Sequence, residues 1–179
     1  SDRERQLSLN SKIYKILRII KSHGESAEAS LKIILDKNGN YQFSADGFSL
    51  ERFKADVYGK ISIEDMEEKE KNSTAEEMVA LLTDKFCIFS QGKEPYTKKE
   101  KAGFGLPEEL DKEEILGILN VRYALSQQAY QKYLSVTVAK DVSEETAAAI
   151  KENQWELSGA DIREDSIRVY GGGEACASG

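Results

Sequence analysis

The stretch Val136-Thr-Val-Ala-Lys-Asp-Val-Ser-Glu-Glu-Thr-Ala-Ala-Ala-Ile150 decides how this chain folds, because it changes secondary structure within fifteen residues. Val136-Thr-Val-Ala139 is a short β-branched run that suits a strand. Ser143 then offers a cap, Glu144 and Glu145 complement the helix dipole, and the alanines that follow have high helix propensity. Strand therefore passes directly to helix. Downstream, Leu157-Ser-Gly-Ala160 reads as a loop, and Asp161 to Tyr170 places Ile162, Ile167 and Val169 at strand-like positions before a glycine-rich end. Upstream, Ile115, Leu116, Leu119, Tyr123 and Leu125 recur at helical spacing and predict a long helix over about 108–130, with Glu108, Glu109 and Asp111 near its start and Gly117 a local weakness.

The N-terminal part continues the mixture. Ile13, Ile16, Leu17 and Ile20 fall on one helical face between about Ser11 and His23, with Asn10 as cap and Gly24 as terminator. Two apolar runs, Leu31 to Leu35 and Tyr41 to Ser44, flank Asp36-Lys-Asn-Gly-Asn40 and read as a hairpin. Leu50, Phe53 and Val57 suggest a short helix, and Glu64 to Lys71 is a mixed-charge run with almost nothing to give a core. Ser73 followed by Glu76 has the form of a capping box ahead of Met78, Leu81 and Leu82. Glycines and prolines between residues 91 and 107 mark an exposed, flexible loop. Helices and short antiparallel strands without regular alternation define an α+β class, with an elongated, two-lobed arrangement left open.

A chain of 179 residues with 32% charged and 40% hydrophobic content has enough apolar material for one domain or two small ones. Its net charge of -7 opposes binding to a phosphate backbone, so nucleic acid is not an expected partner. No apolar run approaches the length of a bilayer span, and the first residues are polar and charged. Cys87 and Cys176 match no metal-ligand spacing, and whether they pair is open.

Reactive constellations are absent from the sequence pattern. The single histidine, His23, sits at a helix end beside Gly24, where a basic side chain favours the last carbonyls. Carboxylates lie in charge-rich runs with lysines between them, the pattern of a solvated surface rather than of an acid and base pair. Gly171-Gly-Gly173 and Gly103-Phe-Gly105 lack the residues that complete a phosphate or dinucleotide loop. Ser90-Gln-Gly-Lys93 matches Ser-x-x-Lys, but Gly92 and Pro95 disfavour the helix that would bring the lysine to the serine, and no Lys-Ser/Thr-Gly occurs. The expectation is no catalytic residue, no cofactor and no metal.

The order of elements nevertheless resembles one family. Asn10 to Ile20 with His23-Gly-Glu25, then Leu50-Glu-Arg-Phe-Lys54, then Leu119-Asn-Val-Arg-Tyr-Ala124 are similar to the membrane-proximal region of class B penicillin-binding proteins of Gram-positive bacteria. Tyr130-Gln-Lys-Tyr133 and the block from Val136 to Glu152 carry the closest likeness. Leu157-Ser-Gly-Ala160 and Arg168-Val-Tyr-Gly171 stand where that family has Leu-Pro-Gly-Val and Arg-x-Tyr-Pro, so both prolines and the valine are replaced.

The resemblance implies that residues 1–179 are a pedestal, or dimerisation, domain that performs no reaction. It implies an N-terminal membrane anchor and a penicillin-sensitive transpeptidase domain outside this chain, on the outer face of the bacterial membrane. Its implied partners are that transpeptidase domain, division or elongation membrane proteins, and a second copy of itself; a stand-alone envelope interaction module is the alternative. Arg122, Gly159, Arg168 and Tyr170 occupy family-motif positions, and Arg168 is a candidate for pinning strand to helix through a bidentate pair with a carboxylate.

Overall fold

Helix α1 (Asp2–Ser22) begins a full two turns before its expected start, because Leu7 and Leu9 extend the buried stripe of Ile13, Ile16 and Ile20 toward the N-terminus. The computed structural model describes residues 2–88, 96–128 and 135–171. Asn10 is therefore not a cap: it lies within α1 and is buried. The expected end holds. Gly24 adopts φ 71, its N–H donates to Lys21 O at 2.9 Å, and Glu25 N–H donates to Ile20 O at 3.1 Å, a left-handed closure that satisfies the last carbonyls.

Strands β1 (Ile33–Leu35) and β2 (Tyr41–Phe43) form the expected hairpin, with Ile33 opposite Phe43 and Leu35 opposite Tyr41. One Asp36 carboxylate oxygen accepts from the N–H groups of Asn38 and Asn40 at 2.8 and 2.9 Å, which sets the turn. Helix α2 (Gly47–Val57) buries Phe53 and Val57, and Phe53 meets Tyr123 edge-on with ring centroids 5.9 Å apart. The charge run forms a 3-10 turn (Ile63–Asp65) and the short helix α3 (Glu68–Lys71), neither burying a residue. Met66 between them is the exception: it is buried.

Helix α4 (Ala75–Lys85) is capped one residue later than expected, by Thr74 and Glu77 instead of Ser73 and Glu76. Both pairs have the Ser/Thr-x-x-Glu form. Ser73 is committed elsewhere: its buried hydroxyl donates to Glu70 O at 2.7 Å and closes α3. Leu81 is exposed rather than on the apolar face.

The expected loop over 91–107 is corrected in its second half. Residues 91–95 lie outside the described residues, but Lys98–Gly103 is helix α5, with Thr97 and Glu100 as a reciprocal capping box. Gly105 ends it at φ 78, and Leu106 N–H donates to Lys101 O at 2.8 Å. The glycine is a helix terminator there, not a sign of irregular chain.

Helix α6 (Lys112–Gln127) starts at a capping box of Asp111 and Glu114, so Glu108 and Glu109 precede it. Its second half is buried almost all round, through Ile118, Leu119, Val121, Arg122, Tyr123 and Leu125. Gly117 has a packing role: a Cβ added there would stand 3.0 Å from Leu17 Cδ1 on α1.

β3 (Ser135–Ala139), α7 (Glu144–Glu152), β4 (Ala160–Arg163) and β5 (Ser166–Tyr170) complete the chain, with the strands in antiparallel order β3-β5-β4. The run from 161 to 170 is thus two strands. It folds back at Glu164, which takes φ 60, so that Ile162 and Ile167 become cross-strand partners. One continuous cluster of buried hydrophobic residues reaches from Leu9 and Ile13 through Leu31, Tyr41, Met78 and Leu119 to Val138 and Val169. Among the described residues, with 51% helix and 13% strand, seven helices and two small antiparallel sheets, the class is α+β.

Candidate functional site

The most unusual side chain in the domain is Arg122, which is 0% exposed. A buried guanidinium must find oxygens for its donors, and α6 delivers it to the place where α1 and the end of α4 meet. Nη1 donates to Asn10 Oδ1 and, at 3.1 Å, to Phe86 O; Nη2 donates to Gln6 Oε1. The Asn10 amide donates to Phe86 O at 3.2 Å and to Cys87 O at 3.3 Å. The guanidinium also lies 4.9 Å from the Phe86 ring centroid.

Local backbone geometry explains why those carbonyls are available. Phe86 is the C-cap of α4, and Cys87 takes φ 57 while Ile88 N–H donates back to Thr83 O at 3.0 Å. This closure resembles the one at Gly24, with a cysteine in the left-handed position. It turns the carbonyls of Phe86 and Cys87 toward Asn10, and a cation suits the negative end of a helix.

A second polar junction joins the loop after α1 to the start of α7. The Glu25 carboxylate accepts from Ser143 N–H at 3.0 Å, from Ser143 Oγ–H at 2.9 Å and from the Thr146 hydroxyl. The Thr146 hydrogen bond, with those from Ser143 and the nearby His23, lowers the Glu25 pKa below the ordinary carboxylate value, against the opposing effect of desolvation. His23 itself is exposed at the end of α1.

Gly159, Arg168 and Tyr170, the other positions singled out in the sequence, sit on the β4–β5 hairpin and its approach. Gly159 takes φ 92, and its carbonyl accepts from Tyr170 N–H at 2.8 Å. A Cβ there would meet nothing closer than Tyr170 O at 3.7 Å, so conformation rather than space favours glycine. Tyr170 OH accepts from Arg163 Nη2 at 3.4 Å. Arg168 donates from Nη1 to Ser135 Oγ at 3.2 Å, which links β5 to β3. This contact is strand to strand and to a hydroxyl, in place of the strand-to-helix carboxylate pair expected for it. Asp161, its partner across β4, forms no ion pair with it.

Arg122 is thus the position where the residues converge, and sequence spacing did not reveal its partners. Gln6 and Asn10, four apart on α1, were the missed members. Their spacing, two amides four apart beside the apolar positions Leu7, Leu9 and Ile13, was the available signal.

Elsewhere, Ser90 to Lys93, Tyr130 to Tyr133 and Cys176 lie outside the described residues. Among the described residues no group of three or more His, Cys, Asp or Glu is placed to hold a metal ion, and no helix is long and apolar enough to cross a membrane. Large apolar side chains do reach the surface: Phe48 is 72% exposed, Ile61 93% and Trp155 80%. Phe48 and Arg52 lie one turn apart on α2, and Arg52 Nη1 donates to Ile61 O at 3.1 Å, so these two apolar residues bracket one arginine.

These features define a class: an α+β structural domain, joined internally by buried polar junctions, with apolar residues displayed outward. Residues 11–178 match the family model of the penicillin-binding protein dimerisation domain, and the chain belongs to that family, whose domain is non-catalytic. No curated protein and no solved structure matches the chain.

Proposed function

We propose that this domain is the pedestal of a membrane-anchored class B penicillin-binding protein of a Gram-positive bacterium. On this reading it stands on the outer face of the membrane, holds a transpeptidase domain of the same polypeptide away from the bilayer, and offers surfaces to division or elongation proteins or to a second copy. The family match across residues 11–178 carries the reading. A buried arginine junction supports it physically, since a spacer that transmits position needs elements that do not slide past each other. The exposed Phe48, Ile61 and Trp155 support a role in contacts.

The test has two arms. The genomic reading frame that encodes this chain is searched downstream for Ser-x-x-Lys followed by Lys-Ser/Thr-Gly, and both polypeptides are incubated with a fluorescent penicillin. The reading expects covalent label on the longer polypeptide and none on residues 1–179. Label on this chain at Ser90 would overturn it. A reading frame without those motifs would replace it with a stand-alone envelope interaction module.

A further inference from the structure

The hairpin turn Asp36-Lys-Asn-Gly-Asn40 carries a reactive pair that the folding of β1 and β2 does not use. Asn38-Gly39 is the only Asn-Gly pair in the chain. The backbone nitrogen after an asparagine can close on that residue's side-chain Cγ to form a succinimide ring, a reaction driven by proximity within one chain. Most side chains on the following residue crowd that nitrogen, and glycine has none.

The structure separates Asn38 from the other asparagines. Asn38 and Gly39 are both exposed, and a Cβ added at Gly39 would meet nothing within 4 Å. Among the described residues no partner holds the Asn38 side-chain amide. By contrast, Asn10 is buried, Asn120 Oδ1 accepts from the N–H groups of Ser30 and Leu31, each at 2.9 Å, and the Asn153 amide donates to Ala149 O at 2.7 Å. Asn40 and Asn72 precede Tyr41 and Ser73, whose side chains stand beside the attacking nitrogen.

The turn also restrains the reaction. Gly39 N–H donates to Asp36 O at 3.0 Å, and one Asp36 carboxylate oxygen grips the N–H groups of Asn38 and Asn40 at 2.8 and 2.9 Å. A nitrogen engaged in that bond is not free to attack, so the turn must open first. Opening an exposed turn belongs to the low-cost end of local unfolding.

We propose that Asn38 is a site of spontaneous modification whose rate is set by the Asp36 turn. Gly39 N bonds to Asn38 Cγ, the Cγ–Nδ2 bond breaks, and Nδ2 leaves as ammonia with the proton from Gly39 N–H. Water then opens the ring at either carbonyl, giving aspartate when it adds at Cγ and isoaspartate when it adds at the Asn38 main-chain carbon. One water is consumed, one ammonia is released, and nothing is oxidised or reduced. Isoaspartate adds a methylene to the main chain between the two N–H groups that Asp36 grips, so the turn that sets Ile33 opposite Phe43 and Leu35 opposite Tyr41 loses its present geometry.

Mass spectrometry tests this on the whole chain, incubated at neutral and mildly alkaline pH and then cleaved with trypsin under mildly acidic conditions. Fragments containing Asn38 are expected to gain the mass of an amide converted to an acid, as two separable products, while Asn72 and the other asparagines stay unchanged. The rate should rise with pH, because Gly39 N must give up its proton. The folded chain should convert more slowly than a free peptide of residues 34–42. Asp36→Ala, which removes both carboxylate hydrogen bonds, should speed conversion by roughly tenfold. Gly39→Ala should slow it. No conversion at Asn38 while the peptide converts overturns the proposal. So does equal conversion at Asn72, a folded chain as fast as the peptide, or indifference to either substitution. Circular dichroism melts establish that each variant is folded; should Asp36→Ala unfold, Gly39→Ala and the comparison with the free peptide decide the outcome.

Discussion

Arg122 shows what one side chain contributes when solvent does not reach it. Its forked donors reach oxygens on α1 and at the end of α4, and methionine of similar length would leave those oxygens without it. Arg122→Met is expected to destabilise the fold by roughly 3 kcal/mol or more, read as a lower urea midpoint. Arg122→Lys should recover little of this, because a single ammonium cannot span oxygens on two elements. Gly117 poses a different balance. Alanine gains about 1 kcal/mol of helix propensity, and its methyl group meets the end of the Leu17 side chain, which can shift. Gly117→Ala should therefore stay near neutral. Gly117→Val adds bulk without that propensity and should lose about 2 kcal/mol in the same denaturation assay.

At the scale of elements, helix ends are where small sequence ambiguities become structural choices. Ser73 and Thr74 both precede a glutamate by three residues, yet Thr74 accepts from Glu77 N–H at 3.1 Å while Ser73 donates to Glu70 O. Thr74→Ala should cost about 1 kcal/mol, and Thr74→Asp should restore it, since a cap only needs to accept. Ser73→Asp should fail, because a carboxylate cannot donate to Glu70 O and would be buried beside it. Chemical denaturation of the three variants separates the roles. The start of α7 adds a pH dependence. Hydrogen bonds from Thr146 and Ser143 hold the Glu25 pKa below its ordinary value, so its charged form favours folding. That contribution is complete above the ordinary carboxylate range and is lost as pH falls through the lower folded value. Melting temperature should thus drop on acidification, and Glu25→Gln should be less stable at neutral pH with a shallower acid slope.

For the whole molecule, the same logic extends to Glu64, Glu77 and Glu108. Serine, threonine and lysine partners respectively lower their pKa values, so a wild-type acid titration by circular dichroism should lose structure below the ordinary carboxylate range. Each of these groups is exposed, and the effect is their sum with Glu25 rather than any single bond. The sheets hang on the helices in a similarly distributed way: β2 packs on α4, β1 and β3 on α6, and β4 on α7. Among the described residues one hydrophobic cluster joins them, a shared core for 13% of strand and 51% of helix.

By itself the sequence determined the α+β class, the hairpin at Asp36 to Asn40, the closure at Gly24, the capped α7 and the order of elements that resembles the family. All of these depend on residues close together in the chain, where propensity, capping and turn chemistry act directly. Only the tertiary structure decided that Asn10 is buried in a helix instead of capping it, that Thr74 rather than Ser73 starts α4, and that Arg122 gathers Gln6, Asn10 and Phe86 from up to 116 residues away. A polar side chain has several local uses of nearly equal free energy. Burial selects among them, because removal from water makes an unpaired donor or acceptor far more costly than any local preference is favourable.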